Sequence, residues 1–98
     1  MSAWQAQDLL IPGDHPSAAG HFPGNPIVPG ALLLDAVMVA IAGTGNEVII
    51  RNAKFLRPVC HGTPLQLRWQ AAGGLFRFEC SSDAGLVLTG MLTVGAPA

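Results

Sequence analysis

The sequence predicts an α+β domain in which an antiparallel sheet is wrapped over one central helix. Three observations lead there. Residues 12–30 concentrate five of the eight prolines (Pro12, Pro16, Pro23, Pro26, Pro29) and four glycines, which bars this stretch from helix and from central strand. One continuous apolar run, residues 31–42, follows it. The rest of the chain holds segments of alternating polarity separated by turns rich in Gly, Pro and Asp, the pattern of half-buried antiparallel strands. A meander after a lone helix reads as α+β, the two element types forming two layers around one core. With 98 residues, the chain has room for one domain, so 1–98 is read as a single unit.

Each element follows in order. Residues 9–11 make a short first strand. The Pro- and Gly-rich stretch carries apolar residues, so it reads as an ordered loop, and long ordered loops in small domains are usually functional. In residues 31–42, length and alanine content favour a helix of about three turns, entered from Pro29-Gly30 and left at Gly43-Thr44-Gly45. This helix is apolar on every side except at Asp35, and a helix without a polar face must be covered all round. Strands are expected at 48–56, 65–70, 75–80 and 86–94. Gly73-Gly74 marks a tight hairpin, residues 58–64 and 83–85 mark turns, and Phe76 and Phe78 share one strand face.

Composition narrows the function. Half of the residues are hydrophobic and 11% are charged, against about 25% in an average globular domain. Mean hydropathy is +0.43. A small domain of this kind is expected either to hide an apolar face against a partner subunit or to be poorly soluble alone. A net charge of −1 with five basic residues leaves no basic stripe for nucleic acid. The longest apolar run has twelve residues and contains Asp35, too short for a membrane span, which needs about 20. Residues 1–10 lack the basic and apolar regions of a secretory signal, so a cytoplasmic protein without membrane insertion is expected. Two cysteines, Cys60 and Cys80, form neither a disulfide framework nor a zinc site, and are expected as buried free thiols.

Two polar residues stand where chemistry would use them. Asp35 interrupts the apolar helix; a buried carboxylate needs a partner or remains protonated. An aspartate hydrogen-bonded to loop backbone is the structural alternative. His21 lies in the loop segment Gly20-His-Phe-Pro-Gly24, where a surface role is the alternative. Together they supply a proton-accepting ring and a proton-donating carboxyl, the minimum for paired acid–base work. The first helical N–H groups, at Gly30 and Ala31, have no intrahelical acceptor and sit at the positive end of the helix dipole, so they suit a developing oxyanion.

The stretch His21-Phe-Pro-Gly-Asn-Pro-Ile-Val-Pro-Gly-Ala-Leu-Leu-Leu-Asp35 resembles the signature H-F-P-x-x-P-x-x-P-G-x-L-x-x-[E/D] of the β-hydroxyacyl-acyl-carrier-protein dehydratases. Every fixed position is matched, including the fourteen-residue step from His21 to Asp35. A second stretch, Lys54-Phe-Leu-Arg-Pro-Val-Cys-His-Gly-Thr-Pro-Leu-Gln-Leu67, resembles the family's F-x-x-P-V-x-x-G-D-x-L. The resemblance runs from about Ile11 to Val94. Three departures accompany it. The acid is Asp, as in the isomerising branch, whereas Phe22-Pro-Gly24 looks like the Glu branch. Thr63 stands where the second motif often has Asp. About ten residues precede the loop, where the family usually has a helix and further strand; in this the chain is similar to the short dehydratase-like proteins of specialised lipid pathways such as aryl polyenes.

The resemblance implies a hotdog fold, a dimer with a continuous sheet, and a site shared across the interface, with histidine from one subunit and carboxylate from the other. The implied reaction is dehydration of a (3R)-hydroxyacyl thioester to the trans-2-enoyl thioester. His21 takes the C2 proton, Asp35 protonates the leaving 3-hydroxyl, and the Gly30 amide, beside that of Ala31, binds the thioester carbonyl. Phe22, Ile27, Val28, Leu32, Leu33 and Leu34 are candidates for the acyl tunnel, with ordinary core packing as the alternative. No metal or diffusible cofactor is implied; the acyl group arrives on the phosphopantetheine of an acyl carrier protein. Lys54 and Arg57 are candidates for docking that acidic carrier, or form a solvated strand face. His61 reads as a turn residue. Two other functions stay open: a hotdog thioesterase, and a non-catalytic partner subunit of a heteromeric dehydratase.

Overall fold

A computed structural model of the chain describes residues 3–12 and 27–97. In chain order these contain strand β1 (Gln5–Leu9), helix α1 (Gly30–Ala42), and strands β2 (Asn46–Phe55), β3 (Leu65–Ala72), β4 (Leu75–Ser82) and β5 (Gly85–Pro97). The strands form one antiparallel sheet in the order β1-β3-β4-β5-β2.

The helix and the β3–β5 meander form where the sequence predicts them. α1 opens after Pro29, whose carbonyl accepts from the amides of Leu32 (3.0 Å) and Leu33 (3.1 Å). Gly43 ends it in the left-handed region (φ 74°) that a side chain resists, and its amide donates to Val39 O at 2.8 Å. β3 alternates as expected: Leu65, Leu67 and Trp69 face the core while Gln66 and Arg68 face outward. Gly73 and Gly74 both have positive φ, which the two-residue turn between β3 and β4 requires. Phe78, Cys80, Leu88 and Leu92 continue the core across β4 and β5.

Several expectations are corrected. The first strand is Gln5–Leu9 rather than 9–11, and Ile11 is buried just beyond it. The helix is not covered all round. Leu33 and Val37, one turn apart, are buried, whereas Ala31, Asp35 and Val39 form an exposed stripe on the other side. A single sheet layer reaches only the side that faces it, so Asp35 is a solvent-facing carboxylate in this chain rather than a buried one. Of the two cysteines only Cys80 is buried; Cys60 is exposed in the turn before β3.

Candidate active site

The loop 56–64 gathers the pieces of the site. The Ile11 carbonyl accepts from the Gly62 amide at 2.7 Å. Ile27 bridges Cys60, and the Val28 amide donates to Val59 O at 2.7 Å. Residues 11 and 27 bracket the segment that carries His21 and Phe22, so both ends of that segment are tied to the same loop. His21 and Phe22 themselves lie outside the described residues. The two motifs, far apart in sequence, therefore meet through the Val28–Val59 hydrogen bond.

Beside this junction an open groove of about 400 Å³ runs over the helix start, lined by Val28, Gly30, Leu33, Phe55, Leu56, Arg57, Pro58 and Val59. Gly30 and Ala31 precede the first helical hydrogen bonds, which Leu32 and Leu33 donate, so their amides point toward the helix N-terminus and its dipole. Asp35 stands five residues further on, about 7.5 Å along the helix axis, on the exposed stripe. The groove combines an apolar wall with the helix-start donors, whereas Asp35, two residues from the groove-lining Leu33, faces away from it on the other side of the helix. The groove suits a carbonyl compound with an apolar chain.

Among the tunnel candidates, Val28 and Leu33 line this groove. Leu32 and Leu34 pack half-buried against the core, and Ile27 is engaged in the bridge to Cys60. Sequence reasoning missed Phe55, Leu56, Pro58 and Val59, although the second motif, Phe55-Leu-Arg-Pro-Val59, held the signal for all four. Arg57 lies at the groove with its Nη1 donating to Ala84 O at 2.5 Å, so the guanidinium is anchored on the β4–β5 turn. Lys54 is exposed on β2. Among the described residues no group of three or more His, Cys, Asp or Glu side chains is placed to hold a metal ion, and no helix is long and apolar enough to cross a membrane.

Comparison with known proteins places this geometry. The chain is similar to the 3-hydroxyacyl-[acyl-carrier-protein] dehydratase FabZ of Wolbachia pipientis subsp. Culex pipiens, at 36% identity over 67% of this chain and 56% of that protein. The chain thus spans less than two thirds of that relative's length. Among solved structures it resembles a chain of the dehydratase heterocomplex ApeI:P from Xenorhabdus doucetiae, with a TM-score of 0.77 and 24% identity over 95% of this chain and 88% of that one. The fluoroacetyl-CoA thioesterase FlK also shares the fold, with a TM-score of 0.61 and 10% identity over 96% of this chain and 86% of that one, so the architecture alone does not select a chemistry. The helix and its antiparallel sheet are those of the hotdog fold. The ApeI-like family model, described as ApeI dehydratase, matches residues 3–91, and the chain belongs to that dehydratase family.

Proposed function

We propose that the chain acts as a (3R)-hydroxyacyl-acyl-carrier-protein dehydratase. The observation that carries this reading is the convergence of the ends of the His21 segment with the donor-bearing start of α1 on one groove. The thioester carbonyl rests on the Gly30 amide, with Ala31 beside it. His21 removes the C2 proton, charge collects on the carbonyl oxygen, and the helix-start donors stabilise it. The C3–O bond then breaks as Asp35 donates its proton to the departing oxygen. The products are the trans-2-enoyl thioester and water, and the proton held by His21 returns to the carboxylate in the next exchange. The acyl group arrives on phosphopantetheine, with no metal or diffusible cofactor in the steps. Arg57 and Lys54 meet the acidic carrier, and Val28, with Phe22, Ile27, Leu32 and Leu34, guides the acyl chain.

The exposed stripe Ala31–Asp35–Val39 favours a partner that covers it, since a carboxylate in bulk water is a poor donor to a substrate hydroxyl. We take the partner to be a second dehydratase-like chain, either another copy or a heteromeric companion. In the second case the present chain serves as its non-catalytic subunit, a reading favoured by the heterocomplex among its structural neighbours.

Incubation with a 3-hydroxyacyl thioester decides among these. Growth of enoyl-thioester absorbance is expected. Release of free thiol without enoyl product would instead identify a thioesterase. Turnover that appears only on adding a second dehydratase-like chain would identify the subunit role. His21→Ala and Asp35→Asn should each lower dehydration by about 10²–10⁴-fold. Partial recovery on mixing the two variants is expected if the site is shared between subunits, and no recovery from exchanged dimers overturns that sharing.

A further inference from the structure

Phe55 closes β2 opposite the fully buried Leu88, yet is itself 50% exposed. The ring lies against the first residue of α1. A Cβ placed on Gly30 would sit 3.1 Å from Phe55 Cζ and 3.2 Å from Cε1. In a helix the Cα–Cβ bonds tilt toward the N-terminus, the direction in which the free amides also point. A ring seated on the Cβ side of Gly30 therefore stands alongside the approach to the helix-start donors, and it shares the groove with Val28 and Leu33.

Resting on the dehydratase reading above, we propose that Phe55 is a specificity-determining wall that admits 3-hydroxyacyl thioesters unbranched at C2 and disfavours those carrying a C2 substituent. A carbonyl held at the Gly30 amide brings C2, one bond away, beside this ring. The Cβ position of Gly30 measures how closely the ring approaches the residue whose amide holds the carbonyl. At 3.1 Å from the ring it is tighter than an ordinary carbon–carbon contact of about 3.5–4.0 Å. The ring therefore stands against the helix start on the side that a C2 substituent of the bound thioester would approach. Because Phe55 is half in solvent and turns about only two side-chain torsions, it yields under load, so the discrimination is graded rather than absolute.

The test compares 3-hydroxybutyryl-pantetheine with 2-methyl-3-hydroxybutyryl-pantetheine as substrates of the full chain, with its partner chain present where turnover needs one. The wild type should prefer the unbranched probe by about tenfold or more in kcat/KM, the scale on which a pocket reads one methyl group. Phe55→Ala should shrink that preference by about tenfold, chiefly by raising kcat/KM for the branched probe, and Phe55→Leu should fall between. Equal use of both probes by the wild type, or an unchanged ratio in Phe55→Ala, overturns the proposal while leaving the dehydratase reading intact. Failure of the wild type to dehydrate either probe overturns the dehydratase reading. The wall is then judged by calorimetric titration of the two thioesters, where the same order of preference is expected and equal affinities refute it.

Discussion

Gly90 and Cys80 show how little freedom single positions of the sheet retain. A Cβ on Gly90 would press into the Asn52 carbonyl oxygen and stand 2.6 Å from Phe78 Cζ, beside the register shift between Ile50 and Asn52. The carbonyl belongs to backbone and Phe78 is fully buried, so neither gives way cheaply. Gly90→Ala should cost about 1–3 kcal/mol, read as a lower urea midpoint at unchanged slope. Burial pushes the Cys80 thiol up from 9.0 to about 11. Below pH 9.0 the thiol is neutral whether the chain is folded or unfolded. Between there and about 11 the unfolded chain loses the proton that the folded chain keeps, so stability falls as pH rises through that window. Unfolding midpoints measured across it should drop more steeply for the wild type than for Cys80→Ala; parallel profiles would contradict the burial-driven shift.

At the scale of elements, α1 behaves as a helix with two sides although its sequence displays only one. Leu33 and Val37 face the sheet, while Val39 is 44% exposed. Leu33→Ala should cost about 2–5 kcal/mol in denaturant unfolding, since it empties space between helix and sheet. The apolar run made the helix legible. Its orientation was not, because a helix greasy on all faces carries no periodic signal for which side meets the sheet. The strands divide in the same way. β3 and β4, each with one face on the core, announce themselves by alternation, and their register follows. β1 reads Gln5-Ala-Gln-Asp-Leu9 and is exposed for most of its length. It is a strand because β3 offers it partners, Gln5 opposite Trp69 through Leu9 opposite Leu65, and no hydrophobic pattern foretells that pairing.

At the scale of the molecule, apolar groups remain on the outside: Leu10, Val39, Ile49, Phe55, Leu56 and Leu86 are each at least 39% exposed. β2 lies at the sheet edge with Ile49 43% exposed, and an apolar edge of this kind invites pairing with another chain. Association in solution is therefore expected, and Ile49→Lys, which sets charge on that edge, should weaken it. Sedimentation velocity checks this. A chain that sediments as a monomer at every concentration, mixed with its companion or alone, would remove the need for a covering partner. The half-hydrophobic composition foretold such a surface, since a small fold has too little interior to hold it all.

The sequence by itself determined the class of fold, the order of its helix and meander, and the two motifs that resemble the dehydratase signature, because these depend on local period, turn chemistry and spacing. Tertiary structure alone decided that the motifs meet at the Val28–Val59 hydrogen bond, that Phe55 rests on Gly30, and that Asp35 faces outward. Those are contacts and exposures between segments distant in the chain. They are set by which sheet face the helix covers and where the strand ends fall, and neither quantity leaves a periodic trace in the residues.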